Sequence, residues 1–420
     1  MIVLAPFRGL ALAALLAAPT LAQVDEGFVR AVRCPNEGFQ PRVVVDPEGG
    51  IHLLYLRSAP AAADLFYVRS TDAGATFSEP IRVNHEEGTV DGSTAFRGAA
   101  LARAADGTIH VVWLANERGG PDPARPPVVY ARLPVGAQAF EAGRNLVQSR
   151  YGMDGTPAIA LFGSNVHVFW HAPGDQLMPA EKESGKERGE RSKAEPEPAP
   201  DPADAEPGAA AEAKPQPPLR QVWMTLSRDG GATFSVERAV DARNEGASSG
   251  CGMSAAVDLE GTLFVLYRTH LGRERGMRFL VSEDEGGTFE HRFVDFMRLA
   301  REMRSGSFLT LGPRGLLAAW ESEGLVVWAK VRPDTDRIKA PMAPKDYQGL
   351  TSRPCLAENT KGGLLLAWFE GPQDRPGRLA WQIFAAVERR MVGSGKVEGV
   401  GLESAPAVVA RPDDGFLIFY

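Results

Sequence analysis

Arginine, carboxylate, tyrosine and histidine side chains recur in the polar segments that separate the apolar runs of this 420-residue chain. A guanidinium offers paired donors that match a carboxylate or a sulfate, so the arginines are the strongest candidates for binding an anionic ligand. The candidates for ligand binding are Arg97, Arg150, Arg268, Arg304, Arg353 and His270. The candidates for nucleophilic attack or proton transfer are Tyr347, Asp154 and Asp91. These side chains can act together only if the fold brings them to one face.

The histidines and cysteines do not have the spacing of a metal site. Three histidines hold an equivalent place in three successive apolar segments, which indicates strand packing: His52, His110 and His167. Three cysteines, far apart in the sequence, allow one disulfide at most and leave one thiol over: Cys34, Cys251 and Cys355. We therefore expect no metal, no cofactor and no disulfide framework.

Seven segments share one pattern, in which an apolar strand, a turn rich in Gly, Asp, Asn or Pro, and a second apolar strand with an aromatic end follow one another. They are Pro41–Tyr55, Ala99–Trp113, Thr156–Trp170, Met253–Tyr267, Gly306–Trp320, Pro354–Trp368 and Pro406–Tyr420. Each segment predicts a β-hairpin of two buried strands, and a third apolar strand usually follows. Repetition at this scale predicts a radial array of four-stranded antiparallel blades.

A second repeat has the pattern S-x-D-x-G-x-T-F and occurs at Ser70–Phe77, Ser227–Phe234 and Ser282–Phe289. Ser and Asp side chains accept hydrogen bonds from nearby backbone N–H groups and Gly supplies a positive φ, so the pattern predicts a self-capped turn between two strands. The pattern resembles the Asp-box of the sialidase-like β-propellers. In that family the box is structural and lies on the rim away from the active site, which implies that its residues take no part in chemistry.

Composition and resemblance agree on an all-β propeller, since 45 glycines and 32 prolines favour turns over long helices. Seven hairpins favour seven blades over the six-bladed ring that is commoner among sialidases. The seventh hairpin ends at Tyr420, so its outer partner must come from elsewhere, and Phe28–Arg33 is the candidate that closes the ring. The loops that join blades, and those that join second to third strands, are expected on the face opposite the hairpin turns, together with the candidates named above.

Two stretches stand outside the repeats. The start, Met1–Ala22, has Arg8, a short apolar run and a small-residue cleavage site, which predicts a signal peptide and export to a periplasm or the extracellular space. A segment rich in Glu, Lys, Pro and Ala, Pro179–Pro218, predicts a disordered insertion within blade three rather than a domain boundary. Residues 23–420 are therefore expected to form one propeller domain, monomeric and without a transmembrane segment.

The resemblance also implies an active site. In sialidases three arginines clamp the sugar carboxylate, a tyrosine paired with a glutamate is the nucleophile, and an aspartate is the acid and base. The first arginine stands in an Arg-Ile-Pro motif, sixteen residues before the aromatic end of the first hairpin. Here that position is Phe39, although the proline of the motif is present. Arginine holds the equivalent position only in blades two and five, as Arg97 and Arg304, and Arg353 lies one residue beyond it in blade six.

A clamp can still be assembled from other residues of the same face. It would use Arg97, Arg304 and either Arg353 or Arg268, with Tyr347 or Tyr151 as nucleophile and Asp154 or Asp91 as acid. The alternative is that Arg97 and Arg304 pair with neighbouring carboxylates around the channel.

Two functions remain open. A net charge of −7 without a basic patch argues against a nucleic-acid partner. The missing arginine at Phe39 favours a propeller that binds carbohydrate or a cell-surface protein through its loop-rich face, without the standard sialidase active site. The arginines and carboxylates of that face keep the alternative open, an exo-glycosidase of the exo-α-sialidase type that acts on acidic sugars.

Overall fold

The computed structural model describes residues 28–94, 97–119, 127–148, 154–173, 220–240, 246–248, 251–270, 276–296, 306–331, 341–347, 350–371, 376–386, 390–401 and 405–420. The predicted signal peptide, residues 1–22, and the predicted insertion, residues 179–218, lie outside the described residues, as do Arg150, Tyr151 and Arg304. The described residues form 26 strands and one short 3-10 helix, Pro35–Glu37. They contain no helix of the length and apolarity that a membrane span requires.

Seven sheets arranged as a ring confirm the predicted seven-bladed all-β propeller. The strands in chain order are β1 (Val29–Val32); β2 (Phe39–Val45), β3 (Ile51–Ala59), β4 (Ala62–Ser70) and β5 (Ile81–Arg82) in blade one; β6 (Ala99–Arg103), β7 (Ile109–Leu114), β8 (Val128–Leu133) and β9 (Arg144–Asn145) in blade two; β10 (Asp154–Phe162), β11 (Asn165–Pro173), β12 (Arg220–Ser227) and β13 (Arg238–Ala239) in blade three; β14 (Ser254–Val257), β15 (Leu263–Arg268), β16 (Gly276–Ser282) and β17 (Glu290–Phe296) in blade four; β18 (Ser307–Gly312), β19 (Gly315–Ser322) and β20 (Leu325–Lys330) in blade five; β21 (Thr351–Glu358), β22 (Leu364–Glu370), β23 (Gly377–Phe384) and β24 (Met391–Val400) in blade six; and β25 (Ala407–Ala410) and β26 (Phe416–Phe419) in blade seven.

Each predicted hairpin forms the two inner strands of one blade, and the predicted third strands pair with them in antiparallel register. Five blades have four strands. Blade five has three within the described residues, and Trp328 of β20 makes a single bridge to Met342 on its outer side. In blade three, β11 and β12 pair directly from Val166 opposite Ser227 to Pro173 opposite Arg220. The blade thus continues in register on both sides of the predicted insertion.

Blade seven is completed by the start of the chain. β1 pairs with β26 in parallel, with Val29 opposite Phe416 and Val32 opposite Phe419, which confirms Phe28–Arg33 as the missing partner. The inner strands contact one another in the order β2, β6, β10, β14, β18, β21 and β25, and β25 contacts β2. The ladder between β1 and β26 covers an edge of β26 that would otherwise be open.

The core lies between neighbouring blades rather than inside any one of them. Along β3, Leu54 and Leu56 pack with blade two, whereas Leu53 and Tyr55 pack with blade seven. Successive side chains point to opposite faces of a strand, so one wholly apolar strand supplies two interfaces. The aromatic residues that end the second strands are buried in these interfaces in the first six blades: Tyr55, Trp113, Trp170, Tyr267, Trp320 and Trp368.

The three S-x-D-x-G-x-T-F turns have the self-capped geometry that the sequence predicts. In the first, the Gly74 N–H donates to Ser70 Oγ at 2.8 Å and the Thr76 N–H donates to Asp72 Oδ1 at 2.9 Å. The hydrogen bonds from Thr76 hold the pKa of Asp72 down, to about 2. The same contacts recur in the other two turns.

Each of these turns also holds its blade against the preceding one. In blade three the ring of Phe234 contacts the ring of Tyr130 edge-on, with 4.8 Å between centroids. Arg144 of blade two donates to the carbonyl of Gly231 at 2.6 Å. Gly231 has φ +81°, and a Cβ there would lie 1.9 Å from Tyr130 Oη. Only glycine therefore fits this contact between blades two and three.

The strand histidines are packing groups, as predicted. His52 Nδ1 lies 2.6 Å from Tyr67 Oη, and His110 Nδ1 lies 2.7 Å from Tyr130 Oη. Burial lowers the pKa of His110 to about 4, so its ring is neutral at neutral pH. The three cysteines are all buried as free thiols: Cys34, Cys251 and Cys355.

Replacing Gly231 by Ala is expected to lower the free energy of unfolding by about 2 kcal/mol or more, because the added methyl group meets Tyr130 on top of the strained backbone. Gly136→Ala is the matched control, since Gly136 has φ +80° and no heavy atom within 4 Å of its Cβ position. The control is expected to lose only the backbone contribution, about 1 kcal/mol. Urea unfolding followed by circular dichroism measures both variants, and equal losses would contradict the contact between the blades.

Candidate functional site

The hairpin turns and the S-x-D-x-G-x-T-F turns lie at the same end of the blades, as predicted. In blade three the Gly230 N–H donates to the carbonyl of Ser164, in the hairpin turn, at 2.9 Å. The loops that join blades, and those that join second to third strands, therefore lie at the opposite end. We call that end the loop face.

A central channel runs between the seven inner strands. Toward the loop face it has a volume of about 330 Å³ and mostly apolar walls. The residues at that end of its lining include Thr156, Gly252, Gly306 and Arg353, and we call this end the channel mouth. Among the predicted site residues whose side chains are described, Arg353 alone lines the channel.

Irregular backbone at the channel mouth decides where the side chains point. The strands β2, β10 and β21 each shift register near their first residues, as a β-bulge does. Gln40 in β2 and Arg353 in β21 have φ +50° and +56°, although neither is glycine. A bulge turns a side chain away from its regular direction, and such backbone strain costs about 1–3 kcal/mol and is concentrated at functional sites.

Arg353 lies partly over an aromatic ring at this position. It is 9% exposed, and its guanidinium carbon is 4.7 Å from the centroid of Phe369. The ring carries negative charge on its face, so this contact stabilises the cation in a site that contains little water.

Glu321, at the end of β19, lies behind the lining of the channel mouth. It is 2% exposed, and its Oε1 accepts hydrogen bonds from the backbone N–H of Arg353 at 2.8 Å and of Gly306 at 3.1 Å. Burial raises the pKa of Glu321 to about 7, and the two N–H bonds and the charges of Arg353 and Arg268 oppose that rise. Within the described part of the chain, no group donates a hydrogen bond to its Oε2.

Arg268 completes this group of side chains. It directly follows Tyr267 at the end of β15, is 1% exposed, and has Nη1 at 3.7 Å from Cys251 Sγ. Gly306 donates to Glu321, and the next residue, Ser307, donates to the carbonyl of Gly252 at 3.1 Å, which places Cys251 and Arg268 on the same side of the channel as Glu321. We call Cys251, Arg268, Glu321 and Arg353 the mouth cluster.

A second charged group lies between blades one and two. Arg97 Nη1 donates to Asp91 Oδ2 at 2.5 Å, and the Ser93 hydroxyl donates to Asp91 Oδ1 at 2.6 Å. Gln40 Nε2 donates to the carbonyl of Gly92 at 3.0 Å and so ties this loop to β2. Arg97 therefore pairs with a neighbouring carboxylate, which is the alternative that the sequence left open for it.

Tyr347, the predicted nucleophile, stands apart from the mouth cluster. Its side chain is 38% exposed and does not line the channel. Two residues earlier, the Lys345 N–H donates to Gln382 on β23, the third strand of blade six. This contact holds the segment at the outer part of the blade.

The structure says less about the other predicted residues. His270 follows β15 and is partly buried, and Asp154 begins β10 opposite His171 with its side chain outside the description. Arg150 and Arg304 lie outside the described residues.

Sequence reasoning missed Glu321, although the sequence holds a signal for it. The residue after the aromatic end of each second strand is buried in the first six blades: Leu56, Leu114, His171, Arg268, Glu321 and Phe369. This position is apolar in blades one, two and six but polar in three consecutive blades. Polar residues in a buried position that is elsewhere apolar mark the side of the channel mouth where chemistry can occur.

The acidic and sulfur-containing side chains do not form a metal site in the part of the chain that is described. No three His, Cys, Asp or Glu side chains there lie close enough together to hold an ion.

Comparisons with known proteins give a likeness to solved structures only, since no protein-family model and no curated protein matches the chain. An α-L-arabinofuranosidase from Fusarium graminearum, in complex with an iminosugar inhibitor, aligns with a TM-score of 0.50 and 10% identity over 87% of this chain and 94% of that one. An α-L-arabinanase from Penicillium chrysogenum has a TM-score of 0.47 and 12% identity over 85% of this chain and 96% of that one. An intramolecular trans-sialidase from Ruminococcus gnavus has a TM-score of 0.40 and 9% identity over 90% and 88%.

A likeness at such low identity concerns the fold and not the reaction. The chain is a seven-bladed β-propeller, and its fold is similar to that of the Fusarium graminearum α-L-arabinofuranosidase.

Proposed function

We propose that the protein binds an acidic glycan at the channel mouth, through its loop face, and that it does so without the sialidase reaction. The mouth cluster carries this proposal. Two buried arginines and one buried carboxyl group lie together there, and one of the arginines stands on strained backbone. The paired donors of guanidinium groups match the carboxylate of an acidic sugar.

The charge balance of the cluster favours an anionic ligand. Below pH 7 the Glu321 carboxyl is mostly protonated, so Arg268 and Arg353 give the cluster a net positive charge. A protonated carboxyl can also donate a hydrogen bond to a sugar oxygen. Of the cluster, Arg353 lines the channel and would contact the ligand directly, whereas Arg268 and Glu321 lie behind the described lining.

Two features argue against the sialidase reaction. Phe39 occupies the position of the first clamp arginine. Tyr347 makes no hydrogen bond to a carboxylate among the described residues, although a tyrosine nucleophile needs a base within reach.

An exo-glycosidase of the exo-α-sialidase type is the second candidate, because a carboxyl with a pKa near 7 suits a general acid. Glu321 would protonate the leaving oxygen. In the sialidase reaction the nucleophile is a tyrosine activated by a carboxylate, and the candidates for that tyrosine are Tyr347 and Tyr151.

Arg353→Gly is expected to weaken acidic-glycan binding about 10- to 100-fold, because it removes a charge-assisted hydrogen bond while it relieves the positive φ. An array of sialosides, uronides and neutral arabinosides identifies the ligand, and titration calorimetry then measures its affinity. Arg118→Ala removes an exposed cation from the same face and is expected to change the affinity less than about twofold. Equal losses in both variants would mean that binding follows surface charge and not the mouth cluster.

The same glycans, as fluorogenic sialosides and uronides, separate the two candidate functions. The proposal expects no hydrolysis above background. Turnover by the wild type that disappears in Glu321→Gln would overturn it in favour of the glycosidase.

The stability of the protein is expected to fall as the pH rises from about 4 to about 7, by about 3 kcal/mol, through Glu321 alone. The folded protein keeps the proton on Glu321 up to its raised pKa of about 7, whereas the unfolded chain releases it near the ordinary glutamate value. Glu321→Gln should remove this dependence, and Glu260→Gln, an exposed residue of a hairpin turn, should not. Urea midpoints at pH 5 and pH 8 test this, and parallel values for wild type and Glu321→Gln would refute it.

Export to a periplasm or to the extracellular space is part of the proposal. It rests on the sequence of Met1–Ala22, and a glycan-binding face requires contact with surface carbohydrate. N-terminal sequencing of the mature protein from the native host should begin at Gln23. A protein that retains Met1 would exclude cleavage.

A further inference from the structure

Arg42 is a charged side chain inside the channel that the mouth cluster does not use. It lies on the inner strand β2 and lines the channel together with Arg353. Its Nε donates to the carbonyl of Ala99 at 3.0 Å, and its Nη1 donates to the carbonyl of Pro41 at 2.9 Å. Nη2 makes no hydrogen bond with any described residue, and no described carboxylate forms an ion pair with Arg42.

The two carbonyl groups offset only part of the free-energy cost of burying the Arg42 guanidinium. Burial lowers the pKa of Arg42, which expresses the cost of holding the charge between apolar strands. Arg378, which is also partly buried, has a carboxylate partner in Glu370, whereas Arg42, like Arg30 and Arg103, is held by carbonyl oxygens. Because Arg42 lines the channel, a counter-ion for it would lie within the channel.

The lining of the channel has the charge pattern of an anion site. The described lining of its loop-face end includes two cations, Arg42 and Arg353, and no aspartate or glutamate, whereas the opposite end includes Arg103 and Glu358. The hydroxyl of Thr156 is also in this lining and makes no hydrogen bond with the described residues. This end of the channel thus offers an anion two cationic donors and the Thr156 hydroxyl, which can also donate.

The remainder of the lining is apolar. It includes Val44, Leu101, Ile159, Phe308 and Val408, one from each of five blades. Small-molecule sites are typically apolar cavities of about 300–1,000 Å³ in which a few polar groups fix the orientation. The channel has this composition, and its volume of about 330 Å³ lies at the lower end of that range.

We propose that the channel is a second binding site, which takes a small amphipathic monocarboxylate with its carboxylate on Arg42 and its apolar body along the inner strands. The walls exclude a free sugar, whose hydroxyl groups would find almost no partners among them. This site adjoins the proposed glycan site, because Arg353 lines the same cavity, and it differs from the glycan site by its use of Arg42, which is not part of the mouth cluster.

Octanoate is a suitable probe, since a ligand of about ten non-hydrogen atoms can reach micromolar to millimolar affinity. The wild-type protein is expected to bind one octanoate in titration calorimetry and to melt at a higher temperature in its presence. Arg42→Gln is expected to weaken binding at least about tenfold, because the amide carries no charge. Arg42→Lys should retain most of the affinity.

Arg103→Gln is the matched control, because Arg103 also ends an inner strand and lines the opposite end of the channel. It is expected to bind octanoate within about twofold of the wild type. Arg42→Met removes an unpaired charge, so in the absence of ligand it should melt at a temperature no lower than that of the wild type. Its loss of octanoate binding could then not be attributed to a loss of folding.

Three results would overturn the proposal. The first is the absence of saturable octanoate binding up to about 5 mM, because a ligand of this size that fits its site should bind more tightly than that. The second is a control ligand that performs as well as octanoate. Equal affinity for 1-octanol would show that the charge plays no role, and equal thermal stabilisation by acetate would show that the apolar body plays no role. The third is a loss of binding in Arg103→Gln that matches or exceeds the loss in Arg42→Gln.

Discussion

Burial between neighbouring blades is the interaction on which the rest of this structure depends. Each inner hairpin is apolar on both faces, so no blade can be stable with a neighbour on one side only. The ring must close, and β1 closes it by pairing with β26. The channel, its mouth and the side chains around it exist only in the closed ring, because each inner strand contributes only a part of the wall.

The architecture could be read from the sequence because it repeats. The aromatic residue at the end of each second strand, such as Trp170 or Trp320, marks a blade regardless of the loops around it. The predicted strand ends lie within about three residues of the observed ones, because Gly, Asp and Pro bound the apolar runs. The strand that completes blade seven was also predictable, because one hairpin lacked a partner and one apolar segment lacked a blade.

The site was less predictable, for physical reasons that differ between residues. Arg353 was counted as one residue beyond the expected position, and its positive φ and bulge arise from tertiary contacts that no local pattern encodes. Glu321 was missed because a glutamate after a strand usually points to solvent, whereas here the ends of β18 and β21 cover it. Arg97 was placed correctly on the loop face, but the sequence alone could not decide between a ligand and Asp91 as its partner.

The pairing of β1 with β26 joins residues that are almost the whole chain apart, and this has a consequence for synthesis on the ribosome. While blades one to six emerge, β1 has no partner, and the inner face of β2 that will meet blade seven is exposed. Blade seven, made after them, supplies both missing surfaces at once. Contacts of such long sequence separation form slowly. Until then, the incomplete ring presents open apolar edges, and exposed edges of this kind are prone to aggregation.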